Sequence, residues 1–228
     1  MKTALVIAAH PDDEVLGCGG TAARLIRQGW EVHALIVAEG ATSRAQQRDT
    51  EANQDELAAL HCAAHRAAAI IGYTSLQLGD LPDNRMDCVD LLDVVKRIEH
   101  AIATLRPVRV YTHHAGDVNI DHQVLHRAVV TACRPLPGAL VREIFFFETP
   151  SSTEWSVGVA NAFLPNCFSD IEDTLEIKLA ALQAYASEMR AFPHPRSIEA
   201  VTLLARWRGA CSGFNSAEAF SIGRILLP

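Results

Sequence analysis

After Met1-Lys-Thr3 the chain enters a continuous apolar run, Ala4-Leu-Val-Ile-Ala-Ala9. Apolar at every position rather than at alternate ones, it predicts a strand buried on both faces. A polar turn follows, then a helical stretch from about Gly20 to Gln28 closed by Gly29. Glu31-Val-His-Ala-Leu-Ile-Val-Ala38 reads as a second strand. Ser43 to about Ile70 reads as a long helix, charged early and Ala-rich later, and Leu76-Gln-Leu78 as a short strand. Val89, Leu92, Val95, Ile98 and Ile102 fall at helical spacing, so Asp87 to Leu105 reads as a helix that Pro107 stops. Val108–Thr112 is a further strand, His122 to Cys133 a helix and Glu143 to Glu148 a strand.

Strands therefore alternate with helices through the first two thirds of the chain. That pattern implies βαβ units with right-handed crossovers. The expected fold class is α/β, a Rossmann-like three-layer αβα sandwich with a mostly parallel sheet. From about residue 170 the chain turns helical, with segments at about Leu175–Arg190 and Ser197–Gly209, before a short strand near Phe220–Leu226. No repeat, low-complexity tract or linker interrupts it, so a single domain over residues 1–228 is expected. At 49% apolar residues, that length supports one sizeable core.

Composition narrows the function classes. A formal charge of -7 argues against broad contact with nucleic-acid phosphates. The apolar runs are too short to span a bilayer, so no transmembrane segment is expected. Six cysteines occur without a C-x-x-C pair, and the first apolar run is broken by His10 before it resembles a secretory leader. Together these point to reduced, mostly buried thiols in a cytoplasmic protein.

The turn His10-Pro-Asp-Asp-Glu14 follows the first strand, where ligands gather in open α/β sheets. Three carboxylates beside an imidazole are costly to assemble, and a bound divalent cation reverses that cost. The plainer alternative is a solvated cap, with Asp12 or Asp13 serving the next helix. A second segment, Thr112-His-His-Ala-Gly-Asp-Val-Asn-Ile-Asp-His122, also follows a strand. A catalytic zinc needs about three protein ligands and an open position. His10 and Asp13 could supply two, and a histidine of the second segment the third. A remaining carboxylate, with Asp12 well placed, would take a proton from water.

Ala9-His-Pro-Asp-Asp-Glu14 and the segment ending Asn119-Ile-Asp-His122 resemble the two motifs of the PIG-L/LmbE-like N-deacetylase family. Weaker similarity runs through Leu81-Pro-Asp-Asn-Arg85, Lys178-Leu-Ala-Ala-Leu-Gln-Ala-Tyr185, Pro193-His-Pro-Arg-Ser197 and Ala217-Glu-Ala-Phe220. The resemblance implies a zinc hydrolase acting on N-acylated amino sugars or their conjugates, with His10, Asp13 and His122 as metal ligands and Asp12 as general base. Ferrous iron can occupy such a site too. Asp121 would orient its neighbours. Many members carry a histidine where this chain has Asn119, whose amide donates a hydrogen bond but cannot protonate a leaving amine. His113 or His114 could take that role, or Asp12 could act as both base and acid. Arg44, Asp83, Asn84, His194 and Arg196 are candidate substrate contacts, and the resemblance makes a homo-oligomer plausible.

Two other readings stand beside this one. Gly17-Cys-Gly-Gly-Thr-Ala22 matches the dinucleotide fingerprint G-x-G-x-x-A, with Glu39 where a ribose partner belongs, which would make the protein a nucleotide-cofactor oxidoreductase. Against it, the acidic residues between strand and glycines are electrostatically wrong beside a pyrophosphate, and glycines also let a helix pack close to a sheet. The third reading is a non-catalytic sugar-binding protein that keeps a metal-stabilised scaffold. The pairs His61/His65 and His122/His126 share helix faces, but His61-Cys-Ala-Ala-His65 lacks the glutamate of H-E-x-x-H.

Overall fold

The computed structural model describes residues 2–44, 48–158 and 162–227. Seven strands, β1 (Thr3–Ala8), β2 (Glu31–Ala38), β3 (Ser75–Leu81), β4 (Arg109–His113), β5 (Glu143–Phe147), β6 (Cys167–Asp170) and β7 (Ala217–Ile225), form one sheet in the order β3-β2-β1-β4-β5-β7-β6. The first five run parallel, and β7 lies antiparallel between β5 and β6. The helices are α1 (Asp13–Arg27), α2 (Gln54–Ile71), α3 (Leu91–Leu105), α4 (Ile120–Ala132), α5 (Leu175–Ala184) and α6 (Ile198–Ala210).

Alternation along β1 builds the layers. Ala4 and Val6 pack with residues of α1, α2 and α5, while Leu5 and Ile7 face α3 and α4. The result is the expected three-layer α/β sandwich with a mostly parallel sheet. The chain moves outward from β1 through β2 to β3, then returns to place β4 on the other side of β1. The carboxyl ends of β1 and β4 thus flank the point where strand order reverses, the usual seat of ligands in such sheets.

α1 begins at Asp13 rather than at Gly20, so the glycines lie inside the helix. A Cβ on Gly17 would stand 2.2 Å from the Phe147 ring, and one on Gly20 would stand 2.9 Å from Ile171. These glycines let α1 lie close against β5 and the segment before α5. Glu39, the expected ribose partner, instead takes Arg48 in two hydrogen bonds of 2.9 Å. Gly17→Ala is expected to lower stability. About 1 kcal/mol of helix propensity gained is outweighed by overpacking of roughly 1–3 kcal/mol. Urea unfolding measures the balance, and a variant as stable as the parent would show that α1 can move away from the sheet.

Three expectations need correcting. α2 starts at Gln54, not near Ser43, because Thr42–Arg44 forms a short 3-10 turn whose Ser43 N–H is held by the Asp83 carboxylate at 3.1 Å. α5 ends at Ala184 rather than Arg190, and β6 is a four-residue strand too short for its alternation to register. The thiols are all free, but Cys62, Cys88 and Cys211 are exposed, and only Cys18 and Cys133 are buried.

A buried ion pair explains two of the weaker sequence blocks. Lys178 Nζ donates to Glu218 at 2.6 Å and to the Leu16 carbonyl at 2.7 Å. The same carboxylate accepts from the N–H groups of Gly20 at 2.9 Å and Thr21 at 2.7 Å. It ties α1, α5 and β7 together. Among the described residues no helix is long and apolar enough to cross a membrane.

Candidate metal centre

The turn after β1 is strained at Asp12, whose φ is 113°. Such backbone costs about 1–3 kcal/mol and persists where surrounding structure enforces it. Asp12 occupies the N-cap position of α1, yet its side chain makes no capping hydrogen bond. Instead its buried Oδ2 accepts from Arg196 Nη1 at 2.9 Å. Burial raises the Asp12 pKa well above the usual carboxylate range, and Arg196 pulls it back. Glu14 supports the turn, accepting from Asp12 N–H at 3.0 Å and from the Tyr185 hydroxyl at 2.6 Å. Burial pushes Glu14 up to about 7 against those bonds.

Asp13 Oδ2 is the centre of the constellation. It lies 3.2 Å from His10 Nδ1 and 3.1 Å from His122 Nε2. His122 makes no hydrogen bond of good angle through either ring nitrogen, and Asp13 Oδ1 is buried without a hydrogen bond, with Arg196 Nη2 at 3.9 Å as its nearest cation. His10 Nδ1 and Asp13 Oδ2 are within hydrogen-bond distance, whereas His122 Nε2 approaches the same oxygen without a hydrogen bond, so three ligand atoms from three side chains gather around one point. A tetrahedron with ligand distances of about 2.0–2.1 Å has edges of roughly 3.3 Å, close to these spacings. Two imidazoles and a carboxylate, all buried, therefore suit a divalent cation. Burial opposes charge at Asp13, but the His122 and His10 rings hold it well below the carboxylate range. Burial likewise opposes charge at His122, which Asp13 and Asp117 nonetheless push up to about 9.

Supporting groups come from the second segment and from the loop after β3. His10 Nε2 faces Asp121 Oδ2 at 2.9 Å and Asp83 Oδ1 at 3.2 Å. Asp121 also accepts from the N–H groups of Asn84 at 2.7 Å and Met86 at 2.9 Å, so it holds that loop against His10. Asn119 caps α4: its Oδ1 accepts from Asp121 N–H at 2.9 Å, and its Nδ2 donates to Asn84 Oδ1 at 2.8 Å. His113 is committed elsewhere, its Nε2 accepting from Ala9 N–H at 2.9 Å while its ring stacks on His122 at 3.8 Å. His126 Nδ1 lies 2.9 Å from the His113 carbonyl oxygen. Asp117 escaped sequence reasoning. It is fully buried, and its Oδ2 lies 3.1 Å from His122 Nδ1. Its place in the loop just ahead of the helix that carries His122 is the one signal that singles it out.

A polar cavity of about 230 Å³ opens beside the centre, which reaches its wall through His10 and the neighbouring Asp12. His10 and Asp12 form one part of its wall, Asp83, Asn84 and Asn119 another, and His194 and Arg196 a third. Asn84 has φ 52° and Ser151, also in the wall, φ 67°. His194 Nδ1 accepts from Arg196 N–H at 3.1 Å, and its ring meets the edge of Trp155. Ser43, Glu188 and Arg190 complete wall positions that the sequence did not single out. The described lining includes neither His113 nor His114, whose ring packs edge-on against Phe163. Arg44 ends the 3-10 turn, and its side chain lies outside the described residues.

A family model described as PIG-L, GlcNAc-PI de-N-acetylase, matches residues 5–133. The uncharacterized deacetylase YaiS of Escherichia coli (strain K12) is 31% identical over 192 residues, which cover 82% of this chain and 91% of that protein. The diacetylchitobiose deacetylase of Thermococcus kodakarensis is 27% identical over 230 residues, covering 96% and 82% respectively. The solved 4-carboxy-2-hydroxymuconate hydratase of Pseudomonas putida KT2440 superposes with a TM-score of 0.80 at 24% identity, over 100% of this chain and 98% of that one, a likeness of fold alone. With the family model spanning more than half of its length and a deacetylase relative at 31% identity, the chain belongs to the PIG-L de-N-acetylase family.

Proposed function

We propose that the protein is a zinc-dependent N-deacetylase, a single domain over residues 1–228 that hydrolyses the N-acetyl amide of an amino sugar or amino-sugar conjugate. The observation that carries this reading is the convergence of His10, Asp13 and His122 beside the buried, Arg196-paired Asp12 at one polar cavity. His10, Asp13 and His122 would hold the zinc, which when bound supplies Lewis acidity to an amide carbonyl and to water. Asp12, made more basic by burial, takes a proton from the attacking water. As the C–N bond breaks, the same carboxyl returns that proton to the amine nitrogen, since the Asn119 amide has none to give. The water oxygen leaves in the carboxylate product, acetate.

Substrate orientation falls to the walls. In the neutral His194 ring, Nδ1 is taken as an acceptor, so Nε2 carries the proton and donates to the substrate. Asp83 and Asn84 of the wall are assigned to sugar hydroxyls; Arg44, whose side chain lies outside the described residues, keeps that assignment from its place after β2 alone. A volume of about 230 Å³ suits one hexosamine, with any aglycone left at the mouth. The family, the deacetylase relatives and the donor set support this assignment.

The test is elemental analysis of the purified protein together with amine release from N-acetylglucosamine, diacetylchitobiose and nucleotide-linked N-acetyl sugars. Stoichiometric zinc with amine release is the expected outcome. A zinc-loaded protein that frees amine from none of them, and instead adds water to 4-carboxy-2-hydroxymuconate, would transfer the reading to the chemistry of the hydratase that shares the fold.

A further inference from the structure

The Asp117 carboxylate makes an unusually complete set of contacts for a residue outside the proposed ligand set. Oδ1 accepts from the Asn119 N–H at 2.9 Å and from the Ser152 hydroxyl. Oδ2 accepts from the Thr153 hydroxyl at 2.7 Å and faces His122 Nδ1 at 3.1 Å. The Thr153 hydroxyl is the donor because an ionised carboxylate can only accept, and its oxygen in turn accepts from Thr149 N–H at 2.7 Å. Both hydroxyls come from the loop that follows β5.

That loop reaches His122 by a second route. Thr149 Oγ1 lies 3.2 Å from His113 Nδ1, and the His113 ring is stacked on His122 with 21° between planes. His113 Nε2 is meanwhile an acceptor for Ala9 N–H, so its Nδ1 carries the proton toward Thr149. One edge of the His122 ring therefore meets Asp117 and one face meets His113, and the loop after β5 holds both. The opposite edge is left facing Asp13. A buried carboxylate without such donors would be costly, so the hydroxyls keep Asp117 charged and fixed in place.

We propose that Asp117, clamped by the Ser152 and Thr153 hydroxyls, is the positioning residue that aims His122 Nε2 at the metal centre. This rests on the metal-dependent reading of the same site. Carboxylate partners of metal-bound histidines typically contribute 10–100-fold to metal affinity.

Zinc affinity of the full protein is measured by competition with a chromophoric chelator, and the cobalt-loaded protein by its visible absorption. Asp117→Asn is expected to weaken zinc binding about 10–100-fold and to shift the cobalt bands. The Ser152→Ala, Thr153→Val double variant should move both readouts in the same direction by less. Thr153→Ser, which keeps the hydroxyl, should match the parent. If Asp117→Asn fails to fold by circular dichroism, the double variant decides. Parental zinc affinity and cobalt spectrum in the folded Asp117→Asn protein, or in the double variant, would overturn the positioning role alone. A parent protein that binds no zinc would overturn the proposed function, and this role with it.

Discussion

Asp12→Asn is expected to lower turnover by about 10²–10⁴-fold, the usual contribution of a general base, while zinc content stays at the parental level. Asparagine keeps the shape of aspartate and offers Arg196 Nη1 an oxygen where the carboxylate sat at 2.9 Å. It also tolerates positive φ better than most residues, so the strained backbone at 113° survives the change. What it loses is basicity. The Asp12 carboxyl is buried, and burial raises its pKa although Arg196 opposes that rise. A group tuned this way can take a proton from water and later release it to an amine, and an amide can do neither. The measurement pairs kcat on the best N-acetyl sugar with metal content and circular dichroism. Turnover near the parental rate in a folded, zinc-loaded Asp12→Asn protein would move proton transfer to another group.

Much of the fold was legible because the central strands are apolar at every position. β2 runs from Glu31 to Ala38, as its pattern predicts, since a strand covered on both faces leaves a block that polar loops interrupt cleanly. The start of α2 was not legible. Its expected first turn is diverted by Ser43 bonding Asp83 and by Glu39 bonding Arg48, tertiary contacts that helical periodicity cannot register. Among the candidate site residues, His10, Asp12 and Asp13 stood out because three carboxylates and an imidazole crowd one strand end. Which histidine each acidic residue of the second segment serves could not be read. Asp121 crosses to His10 at 2.9 Å, whereas Asp117 faces His122 at 3.1 Å. That choice depends on the turn into α4, where Asn119 spends its oxygen on the helix cap. The pairing of Asp12 with Arg196 joins residues 184 positions apart, a contact that no local pattern in the sequence can register.

His10→Ala should abolish the stabilisation that zinc confers, and turnover with it. Asp121 Oδ2 lies 2.9 Å from His10 Nε2, so that nitrogen is the natural donor to the carboxylate. His10 Nδ1 then presents a lone pair to Asp13 Oδ2 across 3.2 Å, an arrangement that needs a proton or a cation between the two atoms. Burial opposes charge on His10, yet the carboxylates of Asp121 and Asp13 raise its pKa, so the surroundings favour a positive charge there. Zinc can take the place of that proton. A ligand present at about 100 times its dissociation constant stabilises the folded state by about 2.7 kcal/mol. Thermal melting of the parent should therefore rise on adding zinc, whereas His10→Ala should melt at one temperature with and without it. His113→Asn is the contrasting variant, because the His113 ring is already engaged by the Ala9 N–H and faces Thr149 Oγ1. It is expected to lose intrinsic stability yet keep a zinc-dependent rise. An equal zinc-induced rise in His10→Ala and the parent would remove His10 from the ligand set and leave Asp13 and His122 to seek a third donor.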